Sequence, residues 1–134
     1  GELDKHPQSG VIRAAREQCI ALENETASLL RAGAVPAEIY EKILSLVNPA
    51  FREGFMNGCK FLGHSIGLTM DETPVLAKGF SAPLESGMTL AVEPKIAIPG
   101  VGLIGCENTY EITADGPAQS LTGACDTPFE VLNQ

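Results

Sequence analysis

The sequence has no tryptophan, only two histidines and only nine lysines and arginines in 134 residues. Because basic residues are scarce, the formal net charge is −8, and the chain lacks the basic footprint that nucleic acids and anionic membranes require. No apolar run approaches the length of a membrane span, and we find no signal-peptide pattern at the start. We therefore expect a single domain with no nucleic-acid and no membrane partner.

Metal-binding cysteine pairs are also missing, because no two of the four cysteines (Cys19, Cys59, Cys106 and Cys125) form a Cys-x-x-Cys motif. Their spacing matches no compact disulfide framework, and a domain of this length does not depend on disulfides. We therefore expect reduced core thiols and a cytoplasmic location. The excess of acidic residues is compatible with a divalent-metal site, if some of them gather in a cleft.

Two helices are predicted in the first third of the chain. The first should begin near Ser9, a favourable N-cap, and end at Gly33. Its buried stripe follows steps of three and four: Val11, Ala15, Cys19, Leu22, Thr26 and Leu29. Its outer side carries charged residues: Arg13, Arg16, Glu17, Glu23 and Glu25.

The second helix should begin at Pro36 and end before Asn48-Pro49. Its buried face is predicted from the apolar residues Ile39, Ile43, Leu46 and Val47. Residues 49–60 are predicted to form a loop with at most one helical turn. Both predicted helices lie N-terminal to the candidate functional residues described below.

The second half of the chain has the alternation typical of strands. Residues 61–70 predict a short strand that Pro74 prevents from continuing. Two longer strands are predicted, from Met88 to Ile98, with a break or an edge at Pro94, and from about Leu103 to Thr113. The predicted fold class is α+β, with two helices packed on one face of a small, mostly antiparallel sheet.

Two glutamates and one histidine are the candidate functional residues. Glu93 follows Thr89 and Ala91 on one face of its strand, and Glu107 lies near the start of the next strand. Two carboxylates that share one face repel each other unless one is protonated or a divalent cation lies between them. With His64, which is flanked by Gly63 and Gly67, they would form a mixed oxygen and nitrogen ligand set. The alternative is that both glutamates are ordinary exposed strand residues and His64 is structural.

Three blocks of the sequence resemble one enzyme family. Residues 61–74 resemble the Gly-His-Gly-Ile-Gly-Leu block of the pita-bread metallopeptidases. Residues 84–94 are similar to their Gly-Met-x-x-x-x-Glu-Pro block, and residues 105–113 to their Glu-Asp/Asn-Thr strand. The blocks stand in family order at family-like spacing. The nearest members are the Xaa-Pro peptidases, prolidase and aminopeptidase P, with methionine aminopeptidase and creatinase more distant.

The resemblance implies a pair of divalent metal ions (manganese, cobalt or zinc) held by two aspartates, one histidine and two glutamates. His64 matches the histidine ligand, and Glu93 and Glu107 match the glutamates. The family's metal pair activates a water and polarises the scissile carbonyl of a peptide bond preceding proline. The carboxylate at Glu93 would also carry a proton to the leaving amine.

The chain departs from the family pattern in two respects. Asp4 is the only aspartate before His64, so the aspartate pair has no counterpart. We therefore expect residues 1–134 to be one partial catalytic domain, the C-terminal part of a longer peptidase, inactive in isolation and inclined to form a homodimer. The family places a substrate-contacting histidine seven residues after the ligand histidine, where this chain has Asp71. An ionised aspartate cannot donate a hydrogen bond, so a catalytic role for Asp71 is in doubt.

Two other functions remain open from the sequence. A creatinase-like hydrolase of small C–N substrates would use the same fold, because a fold does not determine its substrate. A metal-free binding module built on the peptidase scaffold is the other alternative. His6 is expected to be an exposed residue and not a ligand.

Overall fold

A computed structural model describes residues 7–56, 61–66, 75–122 and 131–132. Within these ranges two α-helices, α1 (Ser9–Leu29) and α2 (Pro36–Leu46), precede a series of short strands. The strands are β1 (Phe61–Ile66), β2 (Val75–Ala77), β3 (Thr89–Val92), β4 (Lys95–Ile98), β5 (Gly102–Gly105), β6 (Asn108–Glu111), β7 (Gln119–Ser120) and β8 (Val131–Leu132). This arrangement confirms the predicted α+β class.

The strands form two sheets, and every described pairing is antiparallel. The larger sheet has the order β2-β1-β3-β6-β7, and the smaller has the order β4-β5-β8. The two long strands predicted from the sequence are each divided between these two sheets, and the first divides at Pro94, where a break or an edge was predicted. Pro94 has no N–H to continue the ladder, and its carbonyl accepts a hydrogen bond from the Cys106 N–H at 3.2 Å. The chain therefore changes sheets at Pro94 and again near Cys106.

Helix α1 buries one stripe of residues against the sheets, and this stripe begins one residue later than predicted. Ile12, at 2% exposure, takes the place predicted for Val11, which is 44% exposed. From Ile12 onward the buried positions keep the steps of three and four. Glu23, predicted to lie on the outer side, is fully buried. The spacing of Glu23 from Cys19 and Thr26, four and three residues, places it on the buried stripe.

Two helix details also differ from the prediction. Helix α1 ends at Leu29 and not at Gly33, because Leu30 adopts an extended backbone and is completely buried. Gly33 does take the positive φ of +91° expected of a turn glycine, and its N–H donates to the Leu84 carbonyl at 2.7 Å. In α2, Leu46 was predicted to be buried but is 43% exposed, whereas Ile39, Ile43 and Val47 are buried as predicted.

The described cysteines include both a free thiol and a disulfide-bonded residue. Cys19 is a free thiol in the core and donates to the Ile104 carbonyl of β5 at 3.6 Å. Burial, with a smaller contribution from Glu23, raises the pKa of the Cys19 thiol to about 12. Cys106 is disulfide-bonded, so the prediction that all four cysteines are reduced was wrong. None of the helices in the described part of the chain is both long and apolar enough to cross a membrane.

Candidate metal centre

Glu93 and Glu107 lie side by side where β3 and β6 end. The register of these strands runs from Thr89 opposite Glu111 to Val92 opposite Asn108, and the two glutamates are the next residues beyond that last pair. Leu90, Val92, Asn108 and Tyr110 are buried on the core side, so alternation places both glutamates on the opposite face. Their side chains are hydrogen-bonded to each other.

His64 reaches the same face from β1. It is directly opposite Ala91 of β3, and residues directly opposite in an antiparallel pair project to one side. Glu93 is two residues beyond Ala91, and its N–H donates to the Leu62 carbonyl at 3.0 Å, which extends the β1–β3 pairing to the site. The His64 Nδ1 atom lies 3.2 Å from the Ser65 carbonyl oxygen. The imidazole is therefore a neighbour of the carboxylate pair.

Gly63 allows β1 to approach β3 closely enough to bring His64 there. A Cβ atom at Gly63 would lie 2.5 Å from the Ala91 carbonyl oxygen and 3.3 Å from the Val92 Cα atom. The close neighbour of Gly63 is therefore the backbone of β3. Any larger residue would move β1, and with it His64, away from the glutamates.

Several neighbouring groups at this face influence the pKa of the Glu107 carboxyl. The hydrogen bond to Glu93 raises the pKa of the Glu107 carboxyl above its ordinary range, and burial and the charge of Glu93 add to this. His64 and Lys95 act in the opposite direction. The Lys95 Nζ atom is 3.7 Å from Glu93 Oε1. The Glu107 carboxyl therefore holds its proton more tightly than a solvent-exposed glutamate does.

The donor set fits part of a divalent-metal site. Two carboxyls that are close enough to bond to each other repel when both are ionised, and a divalent cation relieves that repulsion. His64 would supply a nitrogen donor. Within the described residues, however, no three His, Cys, Asp or Glu side chains are arranged as a ready ligand cluster. These three residues are thus part of a ligand set at most.

A buried polar network lies behind β6, on the side away from the glutamates. The Glu23 carboxyl accepts from the Asn108 N–H and bonds to the Tyr110 hydroxyl, which also bonds to the Asn108 side chain. Thr122 Oγ1 donates to Asn108 Oδ1 at 2.6 Å. Glu23 was predicted to lie on the outer side of α1 because it is charged, although its spacing from Cys19 and Thr26 indicated a buried position.

Burial determines the ionisation of this network. It raises the pKa of Glu23 to about 9, against the opposing hydrogen bonds from Asn108 and Tyr110, and the charges of Glu107 and Glu93 raise it further. Burial likewise raises the pKa of the Tyr110 hydroxyl to about 12. At neutral pH both groups are therefore uncharged.

Some residues for which the sequence predicted a role or an environment lie outside the described ranges. Asp71 and His6 are among them, so the doubtful catalytic role of Asp71 and the expected exposure of His6 stay predictions. The described candidates are His64, Glu93 and Glu107, which the fold brings to one face of the larger sheet.

Comparison with known proteins identifies the family. The sequence matches metallopeptidase family M24 over residues 5–114, and the chain belongs to this family. It is 30% identical over 115 residues to an Xaa-Pro dipeptidase of Lactobacillus helveticus, covering 86% of this chain and 27% of that protein. It is 42% identical over 55 residues to the Xaa-Pro dipeptidase of Lactobacillus delbrueckii subsp. lactis, covering 41% of this chain and 15% of that protein.

Solved structures give the same assignment. The prolidase from Pyrococcus furiosus superposes with a TM-score of 0.72 at 25% identity, over 84% of this chain and 32% of that one. The Xaa-Pro dipeptidase from Bacillus anthracis superposes with a TM-score of 0.73 at 26% identity, over 92% of this chain and 33% of that one. These similarities confirm the expected pita-bread fold. The chain spans a third or less of the length of each of these relatives.

Proposed function

We propose that the protein carrying this sequence is a metal-dependent peptidase that cleaves the bond preceding proline in Xaa-Pro peptides. The proposal rests on one observation. His64, Glu93 and Glu107 lie on one face of the larger sheet, in a chain that belongs to family M24. Relatives that match this chain bear the name Xaa-Pro dipeptidase, which supports the same substrate class.

In this proposal the three residues hold a divalent metal pair together with aspartates that the described residues do not contain. The bound pair would supply Lewis-acid activation of water and of the scissile carbonyl. Glu93 and Glu107 follow directly on the last register pair of β3 and β6, and their side chains are hydrogen-bonded to each other. Glu93 also carries a proton from the attacking water to the leaving amine.

The choice among manganese, cobalt and zinc, the homodimer and the cytoplasmic location belong to this proposal as well. We propose the homodimer because a sheet edge that is not paired within one chain favours pairing with a second copy. The cytoplasmic location stays a prediction from the sequence, and the disulfide at Cys106 removes the argument from reduced thiols.

The test is hydrolysis of an Xaa-Pro dipeptide by the full-length protein with Mn²⁺ or Co²⁺, compared with a dipeptide that lacks proline. Glu93→Gln and Glu107→Gln should each abolish turnover. Glu111→Gln is the matched control, because Glu111 is an exposed carboxylate on the same face of β6 four residues from Glu107. Turnover of creatine in place of dipeptides would support the creatinase-like alternative. Tight peptide binding with no turnover and no metal would support a binding module.

A further inference from the structure

Glu23 is the most deeply buried ionisable carboxyl in the described part of the chain, and the proposed chemistry does not use it. Its exposure is 0%, and it lies in the second half of α1 between the buried residues Leu22 and Thr26. Charged residue types are almost never fully buried unless specific partners hold them. The partners of Glu23 therefore indicate what it does.

One partner is the peptide unit next to a metal-ligand candidate. The Glu23 carboxyl accepts a hydrogen bond from the Asn108 N–H, and that N–H belongs to the peptide bond joining Glu107 to Asn108. Glu107 lies one residue beyond the last register pair of β3 and β6. A restraint on this peptide unit is thus a restraint on the backbone that carries the Glu107 side chain.

The second partner extends the restraint along β6. The Tyr110 hydroxyl bonds to both Glu23 and the Asn108 side chain. From the other end, Thr122 Oγ1 donates to Asn108 Oδ1 at 2.6 Å and accepts from the Thr109 N–H at 3.0 Å. The start of β6 is therefore held from the helix on its core side and from the segment after β7.

We propose that Glu23 is a positioning residue: from α1 it holds the Glu107–Asn108 peptide and the Tyr110 hydroxyl, and so determines where the Glu107 carboxylate lies in the metal centre. The inference rests on the proposed metallopeptidase function. Groups behind a ligand orient it, and their loss typically weakens metal binding about 10- to 100-fold. Glu23 does not touch the substrate or the metal in this role.

The experiment measures Mn²⁺ binding to the full-length protein by calorimetry in the absence of substrate. Glu23→Leu removes both hydrogen bonds at similar volume, and we expect it to weaken Mn²⁺ binding about 10-fold or more. Glu23→Gln keeps an acceptor for the Asn108 N–H and a polar partner for Tyr110, so it should stay within about threefold of wild type. Since burial keeps Glu23 uncharged at neutral pH, the amide is a close mimic of its protonated form.

The matched control is Thr26→Val on the same buried stripe. Thr26 is also 0% exposed, but its hydroxyl donates at 2.7 Å to Leu22 of its own helix. Its replacement should lower stability without changing Mn²⁺ affinity. Tyr110→Phe is a second variant for the case in which Glu23→Leu does not fold, because it removes only one hydroxyl group. It should weaken Mn²⁺ binding about three- to tenfold.

A metal-free crystal structure of Glu23→Leu, or of Tyr110→Phe, separates this inference from the proposed function. Displacement of the Glu107 carboxylate from Glu93 supports the positioning role. An unmoved Glu107 with unchanged Mn²⁺ affinity in both variants overturns it, as does a loss with Glu23→Gln as large as with Glu23→Leu. If the wild-type protein binds no Mn²⁺, the proposed function fails, and the position of Glu107 in the variant structure still decides whether Glu23 positions it.

Discussion

The Lys95 Nζ atom lies 3.7 Å from Glu93 Oε1, so an ammonium group stands beside the carboxylate pair of the candidate metal centre. Lys95 is the first residue of β4, just past the proline that carries the chain out of the larger sheet. The hydrogen bond from Glu93 and burial raise the pKa of Glu107, and the Lys95 charge opposes that rise and so favours the ionised form of Glu107. The same charge opposes a divalent cation at that point.

Replacing Lys95 should strengthen metal binding. Both side chains are partly exposed, so the interaction is modest, and Lys95→Met should raise Mn²⁺ affinity by at most about fivefold. The measurement is Mn²⁺ titration of the full-length protein at low salt, where screening is weak. Lys42→Met, which removes an exposed charge from α2, should leave the affinity unchanged. Weaker binding in Lys95→Met alone would show that Lys95 supports the metal centre.

A methyl group at Gly63 should destabilise the protein. Its Cβ would lie 2.5 Å from the Ala91 carbonyl oxygen, so β1 and β3 must separate, at a cost of about 1 to 3 kcal/mol in the free energy of unfolding. Gly10→Ala is the matched control, because nothing lies within 4 Å of the new methyl group and alanine favours the helix by up to about 1 kcal/mol. Urea denaturation of both variants checks the opposite signs. Equal stabilities of Gly63→Ala and wild type would show that the strands are not so closely apposed.

The stability of the metal-free protein should fall as the pH rises from about 4.5 to about 9. The pKa of Glu23 is about 9 in the folded protein against an ordinary value of 4.5, so the folded state holds this proton more tightly than the unfolded state does. The stabilisation is complete below pH 4.5 and is lost as the pH approaches 9. Glu107, whose pKa is also raised, contributes with the same sign.

Glu23→Gln isolates the contribution of Glu23 to this pH dependence, because the amide does not titrate. Urea denaturation in a chelating buffer at several pH values should show a flatter dependence for the variant than for wild type. Parallel curves would mean that Glu23 has an ordinary pKa in the folded protein.

Restoring the family histidine at position 71 should preserve or raise Xaa-Pro hydrolysis. Asp71→His supplies the hydrogen-bond donor that an ionised aspartate lacks, provided that this position contacts the substrate carbonyl. The assay is hydrolysis of an Xaa-Pro dipeptide by the full-length variant with Mn²⁺. A large loss of activity would assign Asp71 to another chemistry or to a structural turn.

Residues 1–134 in isolation should neither bind a metal pair nor hydrolyse Xaa-Pro dipeptides. His64, Glu93 and Glu107 supply two negative charges against the four positive charges of two divalent cations, and the aspartates that the family adds have no counterpart among them. Metal analysis of the purified 134-residue chain is the measurement. About two tightly bound metal equivalents with turnover would contradict the expectation.

The sequence alone identified much of this protein. The order and spacing of its three blocks predicted the family and the candidate residues His64, Glu93 and Glu107. Helical periodicity predicted buried residues on both helices, and Ala15, Cys19 and Leu22 of α1 and Ile39 and Ile43 of α2 are buried as expected. These features were predictable because they depend on residue identity and on periods of two and 3.6, which are local.

Tertiary structure decided what depends on partners distant in the chain. The sequence predicted a break at Pro94, but which sheet each part of a strand joins depends on distant pairing partners, as where the Cys106 N–H donates to the Pro94 carbonyl twelve residues away. The sharing of a hydrogen bond by Glu93 and Glu107 depends on the β3–β6 register. Glu23 shows the same limit, because a carboxyl is tolerated in the core only where the folded chain supplies Asn108 and Tyr110 as partners, and a local pattern cannot specify those contacts.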